Sequence, residues 1–360
     1  MHDIWDVIII GSGPAGSAAS IILAKANLKV LMIEKRKLPR YKICSGLISK
    51  SCQKVLKEKL GLTVPQVVCT RPRKGKGFKV QFKIGNDFIK IPDRFYNVWR
   101  RDFDYWLAIE ANEAGTIVED ETKLIDIIEN DEITIKVEYK DQRTGETKSK
   151  EYFTKYLIGA DGGMGITQKQ LYPDRKRKTV VVYQEYWTGK LNLDPRYFHA
   201  FMDKSLSTNY AWCNFKEDQI IVGVSAQNGG DAKKFHQVFI EFLEESYGLQ
   251  LNRFIRRMGC FTTDYFSGNI DFKSSLGKNN CLLVGEAANL LNIMGEGVPA
   301  AIISGYNAGK AILEHIKQVP PDCQNLVEIY LEKNRKLVDM LTKNWDTFLK
   351  QVEEFLKGNQ

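Results

Sequence analysis

Three patterns in this 360-residue sequence predict an α/β fold: a parallel-sheet domain gathered from separated segments, an inserted antiparallel β-sheet domain and a C-terminal helical segment. The first is an apolar, β-branched run near the N-terminus that breaks into closely spaced glycines. The second is a series of alternating polar and apolar stretches through the middle of the chain. The third is a long apolar stripe at helical spacing near the C-terminus. A hydrophobic content of 43% against 27% charged residues is that of a globular chain with a large core, not of a disordered or fibrous one.

The N-terminal run, Asp6-Val7-Ile8-Ile9-Ile10, reads as a strand buried on both faces. It flows into Gly11-Ser12-Gly13-Pro14-Ala15-Gly16 and then into a small-residue helix over 17–26. A second strand, Lys29-Val30-Leu31-Met32-Ile33, ends at Glu34 with Lys35 beside it. Gly11 permits the tight turn, Gly13 lets the backbone approach a pyrophosphate, and Gly16 lets helix and strand pack closely. Pro14 and Ala15 open the helix, whose N-terminus presents unpaired N–H groups and a positive dipole end to phosphates. Glu34 is placed to accept the hydroxyls of an adenosine ribose and would repel a 2′-phosphate, which favours FAD or NAD over NADP. Glycine-rich turns are common, so the motif alone is weak; strand, turn, helix, strand and acid in that order make it specific.

Residues 78–91 and 133–140 alternate as half-buried strands do. The second is expected to meet 148–155 through the hairpin turn Asp141-Gln142-Arg143-Thr144-Gly145. Segments 179–188, 198–203 and 220–226 read as further strands of a sheet, one face of which covers the cofactor. Tyr183, Glu185, Tyr186 and Trp187 alternate across that sheet, so only some can face a pocket. Tyr210, Trp212 and Phe215 are candidates to line an apolar tunnel, with ordinary core as the competing role. A helix over 301–317 is stopped by Pro320-Pro321. The stripe over 326–356 includes Leu326, Ile329, Tyr330, Leu337, Met340, Leu341, Trp345, Phe348, Val352 and Phe355. It is expected to pack on the nucleotide domain, with a membrane interface as the alternative. The resulting division places the nucleotide domain at 1–70, 98–165 and 271–320. The substrate or cap domain takes 71–97 and 166–270, and the helical segment takes 321–360.

The net charge is +8, concentrated in Arg71, Arg73, Lys74, Lys76 and Lys79 and again in Arg175, Lys176, Arg177 and Lys178. Such clusters suit anionic lipid headgroups, a diphosphate or an acidic electron carrier, although a solvated loop is the commoner role. No aromatic-rich RNA motif accompanies them, so no nucleic-acid partner is expected. The seven cysteines and four histidines form no CxxC pair and no cluster at metal-ligand spacing, so no metal site is expected. Free thiols point to a reducing compartment. The N-terminus lacks the pattern of a signal peptide, and no uncharged apolar segment is long enough to span a bilayer. A cytoplasmic protein, with peripheral membrane contact as the further option, is expected.

Two more segments narrow the cofactor. Tyr156-Leu157-Ile158-Gly159-Ala160-Asp161-Gly162 is an apolar strand closing on a GADG turn. Asn280-Cys281-Leu282-Leu283-Val284-Gly285-Glu286-Ala287-Ala288 is another strand entering a small-residue helix start. Together with the N-terminal site they resemble the three flavin fingerprints of the p-hydroxybenzoate hydroxylase-like fold, which implies a Rossmann-like FAD-binding domain that is discontinuous in sequence. In that family the residue at Glu286 is usually Asp bonded to the flavin's ribityl chain, and Glu keeps the acceptor one methylene further out. Within it, Pro39-Arg40-Tyr41-Lys42-Ile43-Cys44-Ser45-Gly46 resembles the PRxKxCGG segment of geranylgeranyl reductases. Met294-Gly295-Glu296-Gly297-Val298-Pro299 resembles their GEGI segment, and Arg100-Arg101-Asp102-Phe103-Asp104 their RxxFD, whose Arg lies near the FAD. Tyr210-Ala211-Trp212-Cys213-Asn214-Phe215 resembles YxWxFP in its first half only. The resemblance spans most of residues 4 to 320 and is strongest to bacterial members without an assigned substrate.

The resemblance implies that Arg40, Cys44, Ser45, Gly46, Arg100, Asp161, Gly162, Gly285, Glu286, Gly295, Gly297 and Val298 contribute to the cofactor site. Gly295 and Gly297 open a helix N-terminus suited to a flavin ring edge as it gains electrons. Cys44 is a candidate to tune the flavin or position an alkene at the substrate mouth, with a small buried hydrophobe as its other role. Cys44, Tyr210 and Trp212 form the candidate catalytic set. Gly162-Gly163-Met164-Gly165 lacks the rest of a second nucleotide fingerprint, so transient NAD(P)H or ferredoxin is the expected electron donor. The leading expectation is reduction of carbon–carbon double bonds in an isoprenoid or polyprenyl lipid. The alternatives are an FAD-dependent monooxygenase of a small or aromatic substrate and a non-catalytic flavin-binding redox sensor. The paired-tryptophan WxWxIP motif of the related halogenases is absent.

Overall fold

The computed structural model describes residues 3–357 apart from 83–84, 86, 142, 176–177, 228–230, 266–270 and 319–324. Gln142 of the expected hairpin turn, Lys176 and Arg177 of the second basic cluster and Pro320-Pro321 lie outside the described residues, as do the side chains of Val352 and Phe355.

The strand Ile4–Ile10 lies inside an eight-stranded sheet. Val30–Ile33 and then Ile117–Glu119 run parallel to it on one side, and Thr147–Gly159 and then Cys281–Leu283 on the other. Val7, Ile8 and Ile9 are fully buried, as the unbroken apolar run requires of a strand covered on both faces. Register aligns Ile10 with Ile33 and with Gly159. Three strands therefore end at one edge, which places Gly11, Glu34 and Ala160 together at the carboxyl ends where such sheets bind ligands. The expected 148–155 and 156–159 strands are one strand, Thr147–Gly159. Its first half pairs antiparallel with Ile133–Lys140, and its second half joins the parallel sheet.

The helix after the first glycines is Pro14–Ala24, starting three residues earlier than its small-residue pattern suggests. The helix Val298–Lys317 packs along it so closely that a Cβ on Gly305 would overlap the Ala15 carbonyl. The C-terminal stripe forms the helix Leu326–Lys357. It packs on the parallel-sheet domain: Leu326, Ile329, Tyr330, Leu337, Leu341 and Trp345 are buried, while Met340 stays exposed. Tyr330 Oη donates to the Leu283 carbonyl at 2.9 Å and Trp345 Nε1 to the Leu291 carbonyl at 2.9 Å. No described helix is long and apolar enough to cross a membrane.

A second sheet of seven strands runs in the order Gln250–Thr263, Thr179–Lys190, Gln219–Gln227, Tyr210–Lys216, Tyr197–Phe201, Gly77–Gln81 and Ile89–Pro92. The expected 78–91 strand is thus two antiparallel strands. One face of this sheet is covered by the helix Ala232–Tyr247 and its cluster of Phe201, Phe239 and Leu243. The other face turns toward the parallel-sheet domain. A three-stranded sheet of Leu47–Ile48, Tyr96–Val98 and Cys69–Lys74 completes the fold. Arg71, Arg73, Lys74 and Lys76 are exposed on and just beyond its last strand, a solvated edge.

Candidate functional site

A cavity of about 850 Å³ opens between the parallel sheet and the seven-stranded sheet. Every residue of the candidate catalytic and cofactor-binding sets lines it except Gly16 and Gly46. Gly16 packs instead: a Cβ there would overlap the Gly11 carbonyl. Gly11 itself sits at φ +108°, where an L side chain is strained, with the Ala160 carbonyl against it. Gly13 caps the helix with no side-chain bond to its first N–H groups, which leaves them free for an anion.

Glu34 is the start of a buried ionic chain. Its Oε2 accepts from Ser12 Oγ at 2.9 Å and from Arg40 Nε at 2.8 Å, and its Oε1 accepts from the Arg36 N–H at 3.1 Å. Arg40 Nη1 continues to Asp104 Oδ2 at 2.9 Å. Asp104 receives Arg100 Nε at 2.7 Å and Nη2 at 3.0 Å. Arg100 and Asp104 sit one turn apart on the helix Arg100–Glu113, and Arg100 also reaches the Cys44 sulfur. Burial alone would raise both carboxyls. Arg40 overcomes it at Glu34, and Arg100 and Arg40 overcome it at Asp104, so both lie below the usual carboxylate range. Glu34 thus holds Arg40 and the turn at Ser12, beyond the ribose contact expected of it.

The GADG turn presents Asp161, whose Oδ2 accepts from Thr167 N–H at 3.0 Å and Oγ1 at 2.9 Å. Its Oδ1 is buried without a protein partner, and burial raises its carboxyl despite those bonds. Glu286 accepts from Thr262 Oγ1 at 2.5 Å and stands 4.0 Å from Lys42 Nζ. Gly163 makes room for it: a Cβ there would lie 2.6 Å from Glu286 Oε1. Thr262 is a site residue that the motifs do not mark, and Lys42 is the lysine of the segment that resembles PRxKxCGG.

Strand alternation decides the aromatic set. On Tyr210–Lys216, the side chains of Tyr210 and Trp212 reach the cavity and pack with Val80, Phe198 and Ala200. Ala211, Cys213 and Phe215 point the opposite way into the core under the helix Ala232–Tyr247, so Phe215 does not line the cavity. On Thr179–Lys190, Gln184 lines the cavity, whereas Tyr183 donates to Glu185 at 2.6 Å and Trp187 to Glu185 at 2.9 Å on the far face. Tyr186 turns inward, buried against Arg256. The two departures from the expected motifs meet: Asn214 Nδ2 donates to the Ser45 carbonyl at 3.5 Å.

These residues fit FAD. An uncapped helix end behind a glycine turn would hold its pyrophosphate, and the Glu34 end its adenosine. Cys44, Gly295, Gly297 and the Tyr210–Trp212 wall would hold its ring. Bound there, it supplies hydride and electron chemistry, while the chain binds it, orients substrate and excludes water. Among the described residues no acid, thiol and imidazole cluster is arranged to hold a metal ion.

A family model for an FAD binding domain matches residues 5–342. The chain is 27% identical to a digeranylgeranylglycerophospholipid reductase of Methanosarcina acetivorans, over 93% of this chain and 82% of that one. It superposes with a TM-score of 0.75 on a geranylgeranyl bacteriochlorophyll reductase-like protein from Thermoplasma acidophilum, at 21% identity and over 98% and 88% of the two chains. It also superposes on the myxobacterial chondrochloren halogenase CndH, with a TM-score of 0.72 at 16% identity over 93% and 79%. The chain belongs to the FAD binding domain family, as an FAD-dependent oxidoreductase related to the geranylgeranyl reductases.

Proposed function

We propose that the protein reduces carbon–carbon double bonds of an isoprenoid or polyprenyl lipid, with NAD(P)H or a ferredoxin-type carrier protein supplying electrons to its FAD. The observation that carries this reading is the aromatic wall of Tyr210 and Trp212, whose ring centroids lie 5.3 Å apart, lining the same cavity as Cys44. Leu291, Val298 and Ala301 add apolar surface to that cavity. A polyprenyl chain gains by burying its methyl groups on such a surface, and its reacting carbons need a reductant and a proton-bearing group. The cavity holds both a flavin-sized site and a thiol. Relatives named for geranylgeranyl substrates add to the case.

The test is anaerobic. The FAD-loaded protein is reduced with dithionite and mixed with geranylgeranyl-type lipids while flavin absorbance and product mass are followed. Reoxidation with a product about two mass units heavier, one hydride and one proton per double bond, supports the reading. Inertness toward lipids, with rapid reoxidation by oxygen and an oxygenated product, overturns it in favour of a monooxygenase. A Cys44→Ala variant with unchanged turnover and flavin potential removes the thiol from the reaction.

A further inference from the structure

Lys216 is a buried cation that the site described so far does not use. Its side chain has no exposed surface, and its ammonium donates to the Val98 carbonyl. No carboxylate among the described residues forms an ion pair with it. The acid that acts on it is the adjacent Glu217, whose Oε1 is taken by Thr70 Oγ1 at 2.8 Å. The Cys44 thiol, two cations and an aromatic ring also act on it. Arg100 comes from the helix Arg100–Glu113 and Arg256 from the strand Gln250–Thr263. The Trp99 ring centroid lies 4.8 Å from Lys216 Nζ and 5.0 Å from the Arg256 guanidinium. An apolar side chain of similar volume would pack here without the cost of burying a charge. Burial brings this amine down to about 7.

Its position gives that amine a task. A Cβ on Gly46 would overlap Lys216 Nζ, so the ammonium rests directly against the Gly46 backbone. The Gly46 N–H in turn donates to Cys44 Sγ at 3.3 Å. Arg100 reaches the same sulfur from the second side, and Tyr210, Tyr186 and Cys260 face it from three strands of the seven-stranded sheet. Cys44 lines the cavity and Lys216 stands behind it. The Tyr210 hydroxyl, the other proton-bearing group on that wall, is pushed far up by burial and is a poor proton donor.

We propose that Lys216 is a positioning residue for Cys44, holding the proton that restores the thiol after each transfer to substrate. The inference rests on the double-bond reduction proposed above. Saturating one double bond adds a hydride, drawn from the reduced flavin, to one carbon and a proton to the other. The proton leaves the Cys44 S–H bond as the new C–H bond forms, and the sulfur keeps the electron pair. A proton from the Lys216 ammonium remakes the S–H bond, and the neutral amine regains a proton from water when product leaves.

The test labels Cys44 with iodoacetamide in the FAD-loaded protein, read by peptide mass across pH, in wild type, Lys216→Met and Lys216→Arg. Because the thiolate is the nucleophile, loss of the neighbouring cation should slow labelling by about tenfold near pH 7 in Lys216→Met. Lys216→Arg, always charged, should restore fast labelling but abolish the inflection near neutrality. Turnover should fall in both variants with little change in KM. Should Lys216→Met not fold, Lys216→Gln carries the same comparison. Wild-type labelling rates at every pH in a folded, uncharged variant overturn the inference. Changed labelling in a protein that leaves lipids unreduced keeps the Lys216–Cys44 coupling and overturns the alkene-reduction reading alone.

Discussion

Replacing Asp104 by asparagine removes a carboxylate from between two buried guanidiniums while keeping the side chain's shape. Asp104 is 1% exposed and accepts three bonds of 2.7 to 3.0 Å from Arg40 and Arg100. Arg40 retains Glu34 in the variant, but Arg100, left with the Cys44 sulfur and no carboxylate bond among the described residues, becomes an uncompensated buried charge. Breaking a buried pair by removing one partner costs about 3–5 kcal/mol. Unfolding entropy of about 2.1 cal/mol/K per residue gives about 0.8 kcal/mol/K for 360 residues, so the melting temperature should fall by about 4–6 °C. The sign with pH follows from the direction of the shift. The Asp104 carboxyl is held below its ordinary 3.8 in the folded protein. Its stabilisation is therefore present above that pH and lost as pH falls through the lower folded value. Thermal melts of apoprotein by circular dichroism should show the full difference at pH 7 and a shrinking one below about pH 4. FAD titration should show weaker binding, because Arg40 and Glu34 lose their anchor. A shift of less than about 1 °C at pH 7 would refute the reasoning, since it would mean that Arg100 finds solvent or another partner at no cost.

Three further outcomes are expected. The Lys216 amine, brought to about 7 by burial, is neutral in the fold and charged in the unfolded chain between that value and its ordinary 10.5. Stability of wild type relative to Lys216→Met should therefore rise with pH across this window, by about 1.4 kcal/mol per unit at most, in denaturant titrations; a flat difference contradicts the burial argument. Trp345 is buried, donates to the Leu291 carbonyl at 2.9 Å and stacks on Tyr265 at 5.3 Å. Trp345→Ala should cost about 3–5 kcal/mol, and a much smaller loss would mean that the C-terminal helix is only loosely docked. Gly163→Ala puts a methyl 2.6 Å from Glu286 Oε1 and should break its bond to Thr262. Removing a hydrogen bond to a charged group costs about 1.5–3 kcal/mol, read as a lower melting temperature and weaker FAD binding; unchanged values would show that Glu286 can turn aside freely.

The parts of this protein legible in its sequence are those whose physics is local. Gly11, Gly13 and Gly16 are read from one turn because each answers a constraint imposed within a few residues, a positive φ or a close approach. The three strand ends at Ile10, Ile33 and Gly159 meet because each closes a short apolar run whose side chains are buried on both faces of a doubly covered parallel sheet. The helix Ala232–Tyr247 goes unassigned although His236, Phe239, Ile240 and Leu243 recur at helical spacing; its charged and aromatic residues mask the pattern. The strand Gln250–Thr263 escapes for the opposite reason. It is an edge strand with Arg253, Phe254, Arg257 and Phe261 exposed, so little of its composition reports burial. The ionic chain from Glu34 to Cys44 is partly local, since Arg100 and Asp104 are four residues apart. Its junction with Arg40 joins positions 64 residues apart, which no spacing rule reaches.

Lys216 makes the limit plainest. In sequence it is a lysine ending a strand, the commonest of solvated residues. Its burial follows from three facts that lie elsewhere in the chain. Strand alternation from Tyr210 and Trp212 turns it to the cavity side, Val98 offers a carbonyl 118 residues away, and Gly46 supplies a backbone bare enough to admit the ammonium. Only the first could be read along the strand. The motif that flags Tyr210 and Trp212 also fixes the face on which Lys216 must lie, two alternations further on. A charged residue in phase with a cofactor-facing aromatic pair is therefore a signal that sequence does carry, and it is read by extending the period past the point where the known pattern ends.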